Sequence, residues 1–339
     1  MIMFMETIEI KSSIHNYKVI LHDKLEELLK KELDPGKKSF VVIDSTLADK
    51  YSPLLKSIIT DVKLYELKGG EEAKSFDNYE KICKELLQYN FSKEDILISF
   101  GGGTISDLTG YVASSYKRGI QFVSIPTTTL AMVDASIGGK NALNVGGVKN
   151  AIGTIYPPQK VLIGLDVLET LPIVEYANGI CESLKMGLAL NEKLFDLFKH
   201  EELDIEKVIK ESLLTKKAVV EKDERESKYR KVLNFGHTIG HAIEFDSNYK
   251  IKHGFAIANG MLIASKGESY HQELIRILKK IGCPILKDFN VEKLMEAIKN
   301  DKKSSRDGVD FVFVHKIGSF EIKNISFNKI KGVIENYVI

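Results

Sequence analysis

Over the first half of the chain, short apolar runs alternate with amphipathic stretches. "KKSFVVID", ending at Asp44, "DVKLYEL", "DILISF", "QFVSIPT" and "KVLIGLD" read as strands, because each is brief, apolar and rich in β-branched residues. "KLEELLKKEL", "STLADKYSPLLKSII" and "SFDNYEKICKELLQY" read as helices lying between or before them. This alternation predicts an α/β domain with an open, mainly parallel sheet covered by helices. Ligands of such sheets sit at the carboxyl ends of the strands. Here those ends carry Asp44, "GGEEAKS" from Gly69, the run Gly101–Gly103 and "PTTT" from Pro126.

After about Pro172 the period changes. "VEYANGICESLKMGLALNEKLFDLFKH", "IEKVIKESLLTKKAVVEKDE", "GFAIANGMLIASKGESYHQ" and "VEKLMEAIKNDKK" show helical spacing with few strand signals. "DFVFVHKIGSFEIKNI" reads as a hairpin turning at Ile317–Gly318, followed by a last helix. The expected organisation is an α/β domain over residues 1–168 and a mostly α-helical domain over residues 169–339, linked by "DVLETLP" between Leu165 and Ile173.

A chain of 339 residues, 44% of them hydrophobic, is long enough for two packed domains. The net charge of +1, with both signs interspersed, leaves no basic footprint for nucleic acid and no reason to invoke a membrane surface. No apolar run approaches the roughly 18 residues of a spanning helix. The start, "MIMFMETIEIKSS", has neither a basic n-region nor a cleavage motif. Cys83, Cys181 and Cys283 are odd in number and far apart, so neither a disulfide framework nor a CxxC zinc site is implied. A cytoplasmic enzyme acting on a small molecule is the expectation.

Four stretches carry candidate chemistry. In "DILISFGGGTISDLTGYVASSYKRG" three glycines stand between a strand and a helix, an arrangement that serves either as a tight turn or as a pyrophosphate cradle at a helix N-terminus. Asp44 suits a ribose hydroxyl pair or a helix N-cap. "SIPTTTLAMVDASIGGKNALNVGGVKNAIGTIYPP" is rich in Gly, Thr and Asn and holds Asp134, Lys140 and Lys149; it is a polyanion site or a long structural loop. "NGICESLKMG" sets Glu182 and Lys185 one helical turn apart, as a surface ion pair or as a metal ligand beside an anion contact. "RKVLNFGHTIGHAIE" places Arg230, Asn234, His237 and His241 at intervals of three and four, on one face if the segment is a single helix. His253 follows in "KHGFAIANG". A fixed cation, an amide and imidazoles together suit a divalent metal and an anionic, hydroxyl-rich ligand. Thr238 stands where the zincin pattern has Glu, which argues against a metalloprotease.

In combination, "GGGTISDLTGYVASSYKRG", "PTTTLAMVDASIGGKNALN", "KNAIGTIYPP", "ESLKMG", "KDERESKYRKVLNFGHTIGHAIE" and "HGFAIANGM" resemble the 3-dehydroquinate synthase family of the sugar phosphate cyclases, from about Asp44 to Lys303. The resemblance implies a Rossmann-like NAD-binding N-terminal domain and a helical metal-binding C-terminal domain. It implies Glu182, His237 and His253 as ligands of Zn2+, with Co2+ also suited. His241 becomes a substrate and proton-relay residue, so the metal pair is not the HxxxH pair. Asp44, Glu71, Lys74, Gly102, Gly103, Asp107, Thr127 and Thr128 would line NAD. Lys140, Lys185, His241, Asn234 and Asp134 would serve catalysis. Asn150, Lys216, Arg230 and one of Lys302 and Lys303 would hold a heptulosonate phosphate, and Arg118 would reach the site of a neighbouring subunit in a homodimer. Three departures from the family pattern are visible: Asn141–Ala142 after Lys140, Ser106 before Asp107, and Val174 before Glu175.

Overall fold

A computed structural model of the chain describes residues 5–300 and 308–338. Lys302 and Lys303 lie outside the described residues. The chain divides into two compact units, Met1–Leu171 and Pro172–Ile339.

The first unit is built on β1 (Met5–Ile10), β2 (Tyr17–His22), α1 (Leu25–Glu32), β3 (Ser39–Asp44), α2 (Ser45–Ile58), β4 (Val62–Leu67), α3 (Phe76–Gln88), β5 (Ile96–Gly101), α4 (Gly103–Ser115), β6 (Gln121–Pro126), β7 (Lys140–Val145), β8 (Val148–Ile155) and β9 (Lys160–Gly164). Seven strands form one sheet in the order β1-β2-β9-β6-β5-β3-β4, all parallel except β1 on β2. Strands β3, β5 and β6 are buried along almost their whole length. That is why they read as unbroken apolar runs, since a parallel sheet covered on both faces has no polar side to alternate with. One helical layer packs Ile82, Leu86, Ile105, Leu108 and Val112 against Phe40, Val42, Leu97 and Phe122. Each such side chain contributes about 1.5–3 kcal/mol on burial.

From β3 the chain moves outward to β4, and from β5 it moves the other way to β6. The carboxyl ends of β3 and β5 therefore flank the topological switch point, where an open α/β sheet leaves a crevice. Asp44 ends β3, and Gly101–Gly103 joins β5 to α4.

Two features depart from the pattern read in the sequence. Strands β1 and β2, which are not among the runs read as strands, extend the sheet; β2 is a short, buried, mainly apolar run, and β1 is an edge strand whose exposed face carries residues such as Glu9. Within the stretch from Ser124 to Pro158, read as a polyanion site or a long structural loop, the residues from Lys140 to Ile155 are not a loop but a hairpin of β7 and β8, turning at Gly146–Gly147.

The second unit is helical: α5 (Ile173–Leu190), α6 (Glu192–Leu197), α7 (Ile205–Lys222), α8 (His237–Asp246), α9 (His253–Ala264), α10 (His271–Lys280), α11 (Val291–Asn300) and α12 (Phe327–Val338), with the hairpin β10 (Gly308–Lys316) and β11 (Ser319–Ser326). Helix α5 runs through its middle, with every residue from Ala177 to Ala189 buried. Helices α8 and α9 pack on one another, and α9 packs on α5. Ile239, Ile243, Ala256, Ile298, Phe311 and Ile334 belong to a second core on the side of α11, α12 and the hairpin. Among the described residues no helix is long and apolar enough to cross a membrane.

Candidate active site

In the first unit the predicted residues gather around the switch point. Asp44 is a helix cap: its Oδ1 accepts from the N–H and the hydroxyl of Thr46 at 3.0 and 2.9 Å. Helix α4 has no side-chain cap, so the N–H groups of its first turn remain for another acceptor. A Cβ at Gly102 would come 3.2 Å from Cγ2 of Thr128, and one at Gly103 would come 3.4 Å from Cβ of Ala135, so side chains there would fill the cradle. Thr127 is pinned beside it by its N–H on the carbonyl of Gly101 at 3.0 Å.

Lys74 is 2% exposed and links two of the candidates. Its Nζ donates to Oδ2 of Asp107 at 2.5 Å and also to Oδ1 of Asn150. Burial raises the pKa of Asp107 above the usual carboxylate range, and Lys74 opposes that rise. Asn144, which the sequence reading passed over, ties this group together. Its Nδ2 donates to Oε2 of Glu71 at 2.9 Å, and its Oδ1 accepts from the N–H of Asn150 at 2.9 Å. Asp134 is half-buried in a single turn over Ala131–Ala135, and Lys140 opens β7 with its side chain exposed. Arg118 stands elsewhere, exposed in a turn where Lys117, Arg118 and Gly119 all take positive φ.

The Asn141 departure has a structural account. Its Nδ2 donates to the carbonyls of Gly139 and Tyr156, both at 3.0 Å, and its Oδ1 would lie 1.8 Å from a Cβ at Gly110 of α4. The amide holds the hairpin on α4. Ser106 is buried one turn into α4, and Val174 is exposed at the start of α5.

The second unit holds a cluster of one carboxylate and three imidazoles. Glu182 and Lys185 are 1% and 2% exposed, so their ion pair is a core pair and not a surface one. Oε1 of Glu182 is buried without a hydrogen-bond partner. It lies 4.0 Å from Nε2 of His237 and 3.6 Å from Nε2 of His253. Ligand atoms about 2.1 Å from a tetrahedral ion stand about 3.4 Å apart, so a small contraction of these three groups would hold one. An orphaned anionic oxygen facing two ring nitrogens is costly unless a cation joins them. The donor set therefore fits a divalent metal, and zinc and cobalt suit it alike.

Local sequence explains how these three side chains meet. The segment from Arg230 to His241 is not one helix. Residues Tyr229–Asn234 form a 3-10 turn, and α8 begins only at His237. Gly236 between them has φ +77°, and a Cβ there would lie 2.7 Å from the carbonyl oxygen of Ile257. Only glycine fits so close a left-handed break. It separates Arg230 and Asn234 from the helix face that carries His237 and His241. Gly254 does the matching work on α9. Its N–H donates to Oδ1 of Asn178 at 2.7 Å, and a Cβ there would fall 1.9 Å from the carbonyl oxygen of Asn178. Asn178 lies one turn before Glu182 on α5, so this contact brings the start of α9, and with it His253, to the carboxylate.

His241 packs against both other rings, with centroids 5.2 Å from His237 and 5.8 Å from His253. A cavity of about 330 Å³ opens beside them, lined by Asn234, His237, His241, Glu226, Lys231 and Asp310 among others. Lys216 and Arg230 are each 4% exposed. Nη1 of Arg230 donates to the carbonyl of Glu224 at 2.7 Å, and Nδ2 of Asn234 donates to Oε1 of Glu226 at 3.0 Å. The loop that presents Arg230 is organised by Asp223, which sequence reasoning missed. Its carboxylate accepts from the N–H groups of Ser227, Lys228 and Arg230 at 2.8, 2.8 and 3.0 Å. Burial works the other way, but these donors hold the Asp223 carboxyl well below the usual range. Glu244 was also missed; its Oε2 lies 2.9 Å from Nδ1 of His253. Helical spacing could have found it, since it stands three residues after His241 on the same face of α8. Burial tends to lower the pKa of His253, but the contact with Glu244 and the field of Glu182 outweigh it and raise it.

A parallel sheet with an uncapped helix at its switch point, followed by a helical unit in which a buried carboxylate faces two imidazoles, offers one place for a phosphate-bearing ligand and one for a divalent cation. The family models described as 3-dehydroquinate synthase N-terminal and 3-dehydroquinate synthase C-terminal match residues 64–178 and 179–304. The chain is 39% identical to the 3-dehydroquinate synthase of Dictyoglomus thermophilum, over 94% of each chain. It is 38% identical to that of Pyrococcus furiosus, over 88% of this chain and 92% of the other. The chain belongs to the 3-dehydroquinate synthase family. Solved structures extend the likeness of fold. A 2-deoxy-scyllo-inosose synthase complexed with carbaglucose-6-phosphate, NAD+ and Co2+ superposes with a TM-score of 0.87 at 24% identity, over 98% of this chain and 100% of that one. A 2-epi-5-epi-valiolone synthase of Streptomyces hygroscopicus with NAD+ and Zn2+ bound gives 0.86 at 22% identity, over 97% and 98%.

Proposed function

We propose that the chain binds NAD at the switch point of its first unit and Zn2+ or Co2+ at Glu182, His237 and His253, and that it converts 3-deoxy-D-arabino-heptulosonate 7-phosphate into 3-dehydroquinate and inorganic phosphate. The observation that carries the reading is the buried, unpartnered Oε1 of Glu182 facing two imidazole nitrogens. One carboxylate and two imidazoles leave an open position for a substrate oxygen, as a catalytic cation requires. Family membership supplies the reaction.

When bound, NAD supplies a reversible hydride acceptor for the C5 hydroxyl, and the cation supplies a Lewis acid that acidifies it. Lys185, Lys216 and Arg230 are nearly fully buried cations, and they serve to bind the carboxylate and phosphate of the substrate. Asn234, held by Glu226, orients hydroxyl groups, and His241 moves the proton released at C5. Oxidation at C5 acidifies C6–H. The C6 proton passes to a phosphate oxygen of the substrate, and phosphate leaves from C7. The same bound cofactor would supply the hydride that restores the C5 hydroxyl, after which ring opening and an intramolecular aldol step would close the carbocycle. Redox change cancels over the cycle. Lys74, Asp107 and Glu71, assigned to NAD, share one hydrogen-bond network with Asn150, assigned to the substrate. Arg118 is exposed and makes no hydrogen bond or ion pair among the described residues, which supports its service to the site of a second copy in a homodimer.

The test is a phosphate-release assay with the heptulosonate 7-phosphate, NAD+ and Zn2+, with NADH absorbance followed in parallel. Phosphate release that needs both NAD+ and metal, with no lasting NADH, is the expected result. Steady NADH production would make the chain a polyol dehydrogenase of the same fold, and no phosphate from this substrate would assign it another sugar phosphate.

A further inference from the structure

Glu244, on α8, is 5% exposed. Its Oε2 stands 2.9 Å from Nδ1 of His253, while Nε2 of the same ring stands 3.6 Å from Oε1 of Glu182. The imidazole is thus held between two carboxylates, one at each nitrogen. A neutral imidazole has one N–H and one lone pair, and a carboxylate only accepts. The proton therefore sits on Nδ1, and the lone pair sits on the nitrogen that faces Glu182 and His237.

Building on the assignment of the cation to Glu182, His237 and His253, we propose that Glu244 is the positioning residue of that centre, fixing the tautomer and ring orientation of His253 so that Nε2 is ready to coordinate. The backbone supports the same role. The carbonyl of Glu244 accepts from the N–H of Tyr249 at 2.8 Å, which anchors the loop where Asn248 and Tyr249 both take positive φ. That loop leads directly to His253. One residue therefore holds both the ring and the chain that delivers it.

His241, Glu244 and His253 also lie close enough together to hold an ion. The two trios differ in one respect. Oε2 of Glu244 already has the ring as its partner, whereas Oε1 of Glu182 has none. The cation belongs with Glu182, and Glu244 serves from behind.

The experiment strips the full-length chain of metal and titrates it with Zn2+ against a chromophoric chelator, for the wild type, Glu244→Ala and Glu244→Gln. Bound zinc is counted per chain, and histidine tautomers are read by 15N NMR on the wild type. The expected results are one zinc per chain, a 10–100-fold weaker affinity in Glu244→Ala, and most of the affinity retained in Glu244→Gln, which keeps an acceptor oxygen. One Nδ1-protonated ring should be absent from the spectrum of His253→Ala. Equal affinity in Glu244→Ala and the wild type overturns the role of Glu244 alone. Two zinc ions per wild-type chain and one in Glu244→Ala would make Glu244 a ligand and overturn it too. A wild-type chain without tight zinc binding overturns the metal site itself, and an Nε2-protonated His253 overturns the proposal even if the variants fail to fold.

Discussion

Asp223 organises the turn that delivers Arg230, so replacing it by asparagine should cost both stability and substrate binding. Oδ1 of Asp223 accepts from the N–H and hydroxyl of Ser227, and Oδ2 accepts from the N–H groups of Lys228 and Arg230. An amide keeps one acceptor oxygen and turns the other into a donor. The best placement keeps one pair of these contacts and points an NH2 at the other. Pointing the NH2 at Ser227 loses least, because its hydroxyl can turn and accept, and the N–H of Ser227 is then the one donor without an acceptor, beside a side chain that is 8% exposed. A buried donor left unsatisfied costs about 1–3 kcal/mol, so Asp223→Asn should lose about 1–3 kcal/mol. Chemical denaturation followed by circular dichroism measures this, because the chain has no Trp to report by fluorescence. The pH dependence has a definite sign. The folded pKa of Asp223 is depressed, so its contribution is full above the unfolded value near about 4 and fades only as pH falls through the folded value. The gap between wild type and variant should therefore be constant from pH 5 to 8. It should close only in acid. KM for the heptulosonate phosphate should rise as Arg230 loses its fixed geometry. A variant within about 0.5 kcal/mol of wild type, with unchanged KM, would refute the reasoning.

Three further outcomes follow from the same geometry. Glu182→Ala leaves Lys185 buried without its partner and should cost about 3–5 kcal/mol; zinc at a hundredfold excess over Kd should stabilise the wild type by about 2.7 kcal/mol and this variant not at all, which thermal melts with and without zinc will show. Gly236→Ala should lose about 2–5 kcal/mol, from the left-handed backbone and the clash with α9, and a denaturation midpoint equal to wild type would mean the break is not needed. Arg118→Ala and His237→Ala should each be nearly inactive alone, yet a mixture refolded together should recover up to about a quarter of wild-type activity, since a mixed dimer restores one complete site; no recovery would place Arg118 in its own subunit's site or outside the chemistry.

Much of the fold can be read from period alone. Strands β3, β5 and β6 are buried on both faces and so appear as unbroken apolar runs, and α7 and α11 carry plain helical spacing. The hairpin of β7 and β8 is illegible because its apolar residues, such as Ala142, Leu143, Ala151 and Ile152, do not alternate strictly with polar ones, and its seat on α4 depends on the amide of Asn141 packing against Gly110. Edge strand β1 was missed because Glu6 and Glu9 break its apolar pattern.

The candidate site divides along similar lines. Residue types alone pointed to a metal and an anion, because a cation, an amide and several imidazoles so close in sequence have few other uses. Spacing sets His237 and His241 together as imidazoles for a metal, with Glu182 and His253 as further candidates, and the resemblance to the family moves His241 from the metal to the substrate. What spacing could not carry was the break at Gly236, since a positive φ leaves no periodic trace. Nor could it carry the partners of the site. Asp223, Asn178 and Glu244 look in sequence like ordinary polar residues of helices and turns. They matter because the chain, once folded, sets Asn178 against Gly254, Glu244 against His253 and Asp223 against three N–H groups. The sequence by itself determined the strand and helix order and the chemical kinds of group available, since both follow from local composition and period. The tertiary structure alone decided which carboxylate oxygen stays unpartnered and which is satisfied, because that depends on contacts between segments many residues apart.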